Sequence, residues 1–106
     1  MYIRGVRLEM NDIFKLDGIT FVCNRAKAKN NVEKHGISFQ QAASAFFDPF
    51  LRVVDASTDE EVRNAIIGMA ENFELLFVVY IFVEDEQLRI ISARKATRSE
   101  RQKYEN

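Results

Sequence analysis

One cysteine, one histidine, one proline and no tryptophan occur among the 106 residues of the chain. With Cys23 alone, no intramolecular disulfide can form and no thiolate cluster can hold a metal, which fits a reducing compartment. With His35 alone, a mechanism built on a pair of histidines is excluded, and no His/Cys/Asp spacing suits catalytic zinc. A glycine-rich phosphate loop is also missing. No metal and no other cofactor is therefore expected. The longest apolar run, residues 75–83, is far short of the roughly 20 residues that a membrane-spanning helix needs. Arg4 and Arg7 stand near the start with no apolar stretch behind them, unlike a secretory leader. The expectation is a cytoplasmic protein with no membrane partner.

What is present is the balance of an ordinary globular chain, 47% hydrophobic and 29% charged, at the usual size of one domain. Only four glycines join the single proline as breaks, so regular elements must cover most of it. Net charge is −1, which does not suggest a nucleic-acid binder, but the charges are unevenly spread. From residue 89 to 103, Arg89, Arg94, Lys95, Arg98, Arg101 and Lys103 face only Glu100. A positive face for a polyanion and a solvated charged helix explain that run about equally well.

No repeat, low-complexity stretch or linker divides the chain. Residues 1–18 read as a strand, an accessory helix or a plain extension, set off by the turn signal Asp17-Gly18, and the domain proper is expected over 19–106. Residues 19–23 predict a short strand, and Asn24 a cap for a helix that runs to about His35, where Gly36 ends it. Ser38 and Gln41 have capping-box spacing, and Phe39, Ala42, Ala43, Phe46 and Phe47 form an amphipathic stripe that ends at Asp48-Pro49. Residues 51–55, 62–69, 74–83 and 87–93 predict strands, the last two joined through Glu84-Asp85-Glu86. Thr97 and Glu100 predict a second capping box and a helix through about Tyr104. The class is α+β: an antiparallel sheet of three to five strands, two N-terminal helices packed on it and a short C-terminal helix.

Three segments carry chemistry. Lys34-His35-Gly36 puts two basic groups at a helix C-terminus, where the dipole favours cations; the commoner reading of such a pair is a simple cap. Lys27 lies seven residues before Lys34 and so on the same helix face, lining a groove or facing water. Strand alternation over 89–94 predicts Arg89, Ile91 and Ala93 on one face and Ile90, Ser92 and Arg94 on the other. Each arginine read alone would snorkel from a sheet edge. Arg98, Arg101 and Tyr104 follow within one short helix, a density of guanidinium groups that suits phosphate. RNA carries its own nucleophile, the 2′-hydroxyl, so its cleavage needs only a base, cations for the phosphorane and an acid for the leaving oxygen. Lys, Arg, His and Tyr suffice for that.

The blocks Lys34-His35-Gly36-Ile37-Ser38-Phe39-Gln40-Gln41-Ala42, Phe47-Asp48-Pro49, residues 63–68, Arg89 through Thr97, Glu100-Arg101 and Tyr104-Glu105 resemble the BrnT toxins in order and spacing. The resemblance runs from about Phe21 to Glu105. It implies a RelE-like fold, an endoribonuclease that inhibits translation, and a BrnA-like antitoxin partner that neutralises it. Operator DNA would be reached only through that antitoxin, and the assembly would be a homodimer or a heterotetramer with antitoxin. The implied catalytic residues are Lys34, His35, Arg89 and Arg94, with Lys27, Arg63, Arg98, Arg101 and Tyr104 binding substrate. Arg89 and Arg94 would hold phosphate charge, and Lys34 or His35 would move protons. One departure stands out: the family's Trp-Asp pair before the first helix is Cys23-Asn24 here, although Lys27 is kept. That departure motivates an alternative, a catalytically inactive ribonuclease-like domain that serves as an antitoxin-binding or regulatory module. No helix-turn-helix pattern supports direct DNA binding.

Overall fold

The computed structural model describes residues 10–83 and 86–106. Asp17 and Gly18 both take positive φ, 48° and 84°, as the tightest hairpin turns require. They join β1 (Asn11–Leu16) to β2 (Ile19–Asn24) in antiparallel register, with Phe14 opposite Phe21. Asn24 caps α1 (Arg25–His35) by accepting from the Lys27 amide, and Gly36 closes it in the left-handed region. Ser38 caps α2 (Phe39–Ser44) by accepting from the Gln41 amide. The Gln41 side chain donates instead to Glu74 Oε1 at 3.1 Å, so the hydroxyl half of the expected capping box is the half that forms. A 3₁₀ turn over Ala45–Phe47 continues α2, and β3 (Arg52–Asp55), β4 (Asn64–Met69), β5 (Leu75–Val83) and β6 (Gln87–Lys95) follow. The expected connection at 84–86 includes Glu84 and Asp85, which lie outside the described residues, as do residues 1–9. Thr97 and Glu100 form the full reciprocal box that opens α3 (Arg98–Glu105).

The strands make one six-stranded sheet in the order β1-β2-β6-β5-β4-β3. This corrects the expected three to five antiparallel strands in two respects. Residues 11–16 add a strand, and β2 pairs with β6 in parallel, Phe21 beside Leu88. The parallel pair joins residues 67 positions apart in sequence, so no local pattern announces it. The two N-terminal helices meet the sheet differently, although Ala28 of α1 packs against the same core as α2. α2 and the 3₁₀ turn cover one face, where Phe39, Ala42, Ala43 and Ala45 meet Phe21, Ile66, Leu76, Val78, Ile90 and Ala93. α1 lies beside the part of β6 that β2 leaves open. The 3₁₀ turn comes so close to β4 that a Cβ on Gly68 would stand 2.7 Å from the Ala45 carbonyl oxygen. Aromatic rings lace the same core: Phe21 lies 5.5 Å from both Phe14 and Phe46, and Phe46 meets Tyr80 edge-on at 5.0 Å.

A bulge in β6 decides where the basic side chains go. Tyr80 pairs with Ile90 and Val79 with Ser92, which leaves Ile91 as an extra residue. Beyond it the alternation is reset. Ile90 and Ala93 both enter the α2-side core, whereas Arg89, Ser92 and Arg94 stand opposite Ile81, Val79 and Phe77 on the other face. Strict alternation had split Arg89 from Arg94; the bulge puts them on one face.

Candidate functional site

A groove of about 540 Å³ runs between α1 and β6, lined by Lys27, Asn30, Asn31, Glu33, Lys34, His35, Ile91 and Ser92. Helical spacing explains one wall: residues 27, 31, 34 and 35 fall on a single face of α1. Lys34 and His35 occupy its last turn, where the carbonyl end of the dipole favours positive charge. The bulge supplies the other wall by turning Ser92 away from the core. Two ammonium groups, an imidazole and a hydroxyl thus meet in one open depression, with one carboxylate, Glu33, among them. Such a set can hold an anion and move protons beside it.

Arg89 and Arg94 flank Ser92 on the same sheet face but do not line the groove. Arg94 lies 4.3 Å above the Phe77 ring and grips Glu100 with both prongs, Nη1 to Oε1 at 2.8 Å and Nη2 to Oε2 at 2.9 Å. That bond holds the Glu100 carboxyl below the ordinary carboxylate range and raises the Arg94 guanidinium above its usual value. Glu100 also accepts from the Thr97 amide, so the arginine and the helix cap share one carboxylate.

The remaining sequence candidates lie elsewhere. Arg63, next to β4, pairs with Glu61. Arg98 is exposed in the first turn of α3, and Arg101 borders a separate hollow with Phe73, Glu74, Leu75, Lys95 and Ala96. Tyr104 donates to Asp48 Oδ2 at 2.6 Å, and the same oxygen accepts from the Met69 amide at 2.8 Å. Desolvation and the Asp48 carboxylate push the Tyr104 hydroxyl up to about 12. Although partial burial works against it, Asp48 stays below the ordinary carboxylate value because Tyr104 and the Met69 and Phe50 amides donate to it. Tyr104 therefore ties α3 to the end of the 3₁₀ turn and to β4. Cys23 is buried in the core, where burial raises its thiol pKa.

Five lining residues, Asn30, Asn31, Glu33, Ile91 and Ser92, were not among the sequence candidates. Asn30 carried no signal, and Ser92 was assigned to a face by an alternation that the bulge breaks. Asn31 had one available sign, its position between Lys27 and Lys34 on their shared helix face.

A mixed sheet with one helical face and a basic groove beside a bulged strand defines a small α+β protein with a site for a polyanion. Residues 24–100 match the family described as "Ribonuclease toxin, BrnT, of type II toxin-antitoxin system". The chain belongs to that family. The 1.1 Å crystal structure of the Brucella abortus ribonuclease toxin BrnT is similar, with 26% identity and a TM-score of 0.53 over 72% of this chain and 94% of that one. No protein of curated function matches the chain significantly in sequence. Membership makes this a ribonuclease toxin of the type II toxin-antitoxin class, with RNA as the substrate class and an antitoxin as the partner class. Among the described residues no helix is long and apolar enough to cross a membrane.

Proposed function

We propose that the chain is a metal-independent endoribonuclease that inhibits translation in the cytoplasm, built on a RelE-like fold and neutralised by a BrnA-like antitoxin. The observation that carries this reading is the convergence of Lys27, Lys34, His35 and Ser92 on one groove. Lys27 and Lys34 hold the RNA backbone, and His35 or Lys34 takes the proton from the 2′-hydroxyl. Arg89 and Arg94 stabilise the phosphorane. Arg94 retains Nε and part of its Nη donors beyond those given to Glu100, so it can serve phosphate without releasing α3. Arg63, Arg98, Arg101 and Tyr104 act further from the reacting bond, along the RNA or in holding α3. The proposal keeps residues 1–18 as an extension and residues 19–106 as the toxin domain, a division with which a family match over residues 24–100 is compatible.

Among the described residues no three His, Cys, Asp or Glu side chains gather in one place, and metal independence is put to a direct test. The test is cleavage of one labelled single-stranded RNA in EDTA by the purified chain and by Lys34→Ala and His35→Ala. Cleavage by the parental chain that falls at least 10-fold in one variant is expected. Activity that vanishes in EDTA and returns with one divalent ion would overturn the metal-free mechanism.

The second reading, an inactive antitoxin-binding module, draws on one observation. Where the family has its Trp-Asp pair, Cys23 is buried and Asn24 spends its side chain on the α1 cap, so neither is offered to substrate. A folded chain that captures its antitoxin yet cuts no RNA would favour it.

A further inference from the structure

We infer that Asn31 is a positioning residue of the groove, fixing Lys34 and His35 relative to Ser92; this rests on the ribonuclease reading of that groove. β2 pairs with β6 only as far as Arg89, so the β6 edge beyond it needs another partner. The Asn31 carboxamide fills the place of a strand. Its Oδ1 accepts from the Ala93 amide at 3.1 Å, and its Nδ2 donates to the Ala93 carbonyl at 2.8 Å. This is the two-bond exchange of a hydrogen-bonded antiparallel pair, made by one side chain. The second Nδ2 proton goes to the Ile37 carbonyl at 2.9 Å, just past the glycine that closes α1.

Both walls of the groove are fastened through this one group. Ala93 follows Ser92 directly after the bulge, and Lys34 and His35 lie between Asn31 and Ile37 in the chain. Asn31 is buried, 6% exposed, so its bonds are shielded from competing water. A helix needs no polar residue there for its own sake, because a small apolar residue would pack with less cost. The three bonds instead set the separation and rotation of α1 on β6, and a displacement of ~1 Å at reacting groups costs as much as 10²-fold in rate.

Asn31→Ala and Asn31→Gln test the inference in the full chain. Cleavage of one labelled RNA gives kcat and KM, and NMR follows the imidazole signals of His35, the single histidine. In Asn31→Ala, kcat is expected to fall on the order of 10-fold or more, with KM within about two-fold because Lys27 and Lys34 keep their charge, and the His35 signals move. Parental kcat in folded Asn31→Ala, or a loss that merely tracks the folded fraction, overturns the inference. Should that variant not fold, Asn31→Gln is read in its place: it keeps the carboxamide on a stem one methylene longer, so a lowered kcat with shifted His35 signals supports the role and parental values refute it. If the parental chain cuts no RNA, the ribonuclease reading fails instead. The His35 signals then decide alone, moved signals supporting the positioning role and unmoved ones overturning it.

Discussion

Tyr104→Phe isolates the tie that holds α3 to the rest of the molecule. α3 has no buried residue, so its attachment depends on polar anchors: Tyr104 on Asp48, and Glu100 on Arg94. Phe keeps the ring and removes only the hydroxyl, leaving no cavity. Asp48 is not orphaned, because Oδ2 still accepts from Met69 and Oδ1 from Phe50. The loss is thus one hydrogen bond to a charged acceptor, about 1.5–3 kcal/mol in general. Desolvation, and after it the Asp48 carboxylate, push the Tyr104 hydroxyl from 10.0 up to about 12, so the neutral, donating form is the one present at pH 7. A loss of about 1.5 kcal/mol, the lower end of that range, is a fall in melting temperature of roughly 6–10 °C for a chain of this size.

Thermal melts of the parental chain, Tyr104→Phe, Asp48→Asn and the double variant at pH 7 measure the coupling directly. The sign of the pH dependence follows from the direction of the shift. A folded-state value raised above 10 means that the tyrosine contributes its full stability below pH 10 and loses it as pH rises through 12. Ultraviolet titration of phenolate should accordingly lose its latest-titrating component in Tyr104→Phe. A melting temperature within 1 °C of the parental value, or a coupling below about 0.3 kcal/mol, would show that α3 is held by something else.

Asp48 and Glu100 are both held below their ordinary values of 3.8 and 4.5, so their contributions are complete above pH 5 and disappear as pH falls through the lower folded-state values; unfolding at pH 7, 5 and 3 should show stability constant over the first step and falling over the second. Arg94→Lys keeps the charge but loses the fork on Glu100 and the planar face on Phe77. Its cleavage rate should fall on the order of 10²-fold if the guanidinium also meets the phosphorane, and equal rates in equally folded proteins would remove Arg94 from the site. Gly68→Ala drives a methyl toward the Ala45 carbonyl and should cost about 1–3 kcal/mol by urea unfolding, whereas an unchanged midpoint would mean that the 3₁₀ turn yields freely.

The parts of the fold legible in the sequence are those written in local chemistry. Asn24, Gly36, Ser38 and Thr97 act at the helix ends as their side chains dictate, and residues 75–83 form a strand within the sheet interior, as an unbroken apolar run suggests. Asp17-Gly18 was legible as a turn. What it could not reveal is that the strand before it would pair, since Asn11–Leu16 gains its place only from the β2 edge beside it. The β2–β6 pair was hidden for the same reason: nothing local marks a partner from the far end of the chain.

The site divides along the same line. Lys27, Lys34 and His35 share a helix face by 3.6-residue spacing alone, and they meet in one groove. Ser92 joins them only because Ile91 bulges, and a bulge is invisible to a rule that counts residues in twos. One extra residue therefore has two consequences. It turns Ala93 into the core, where the Asn31 carboxamide takes both its amide and its carbonyl, and it turns Ser92 outward onto the face that carries Arg89 and Arg94. Deleting Ile91 would leave these faces as they are, since Ser92 would then follow Ile90 in regular pairing; keeping Ile91 and pairing it in strict alternation would instead send Ser92 and Arg94 toward the apolar core and expose Ala93. That exchange would desolvate an arginine now paired with Glu100 at 2.8 Å and would break the Asn31 bonds as well. The bulge is thus the point at which core packing and the arrangement of the groove depend on the same residue.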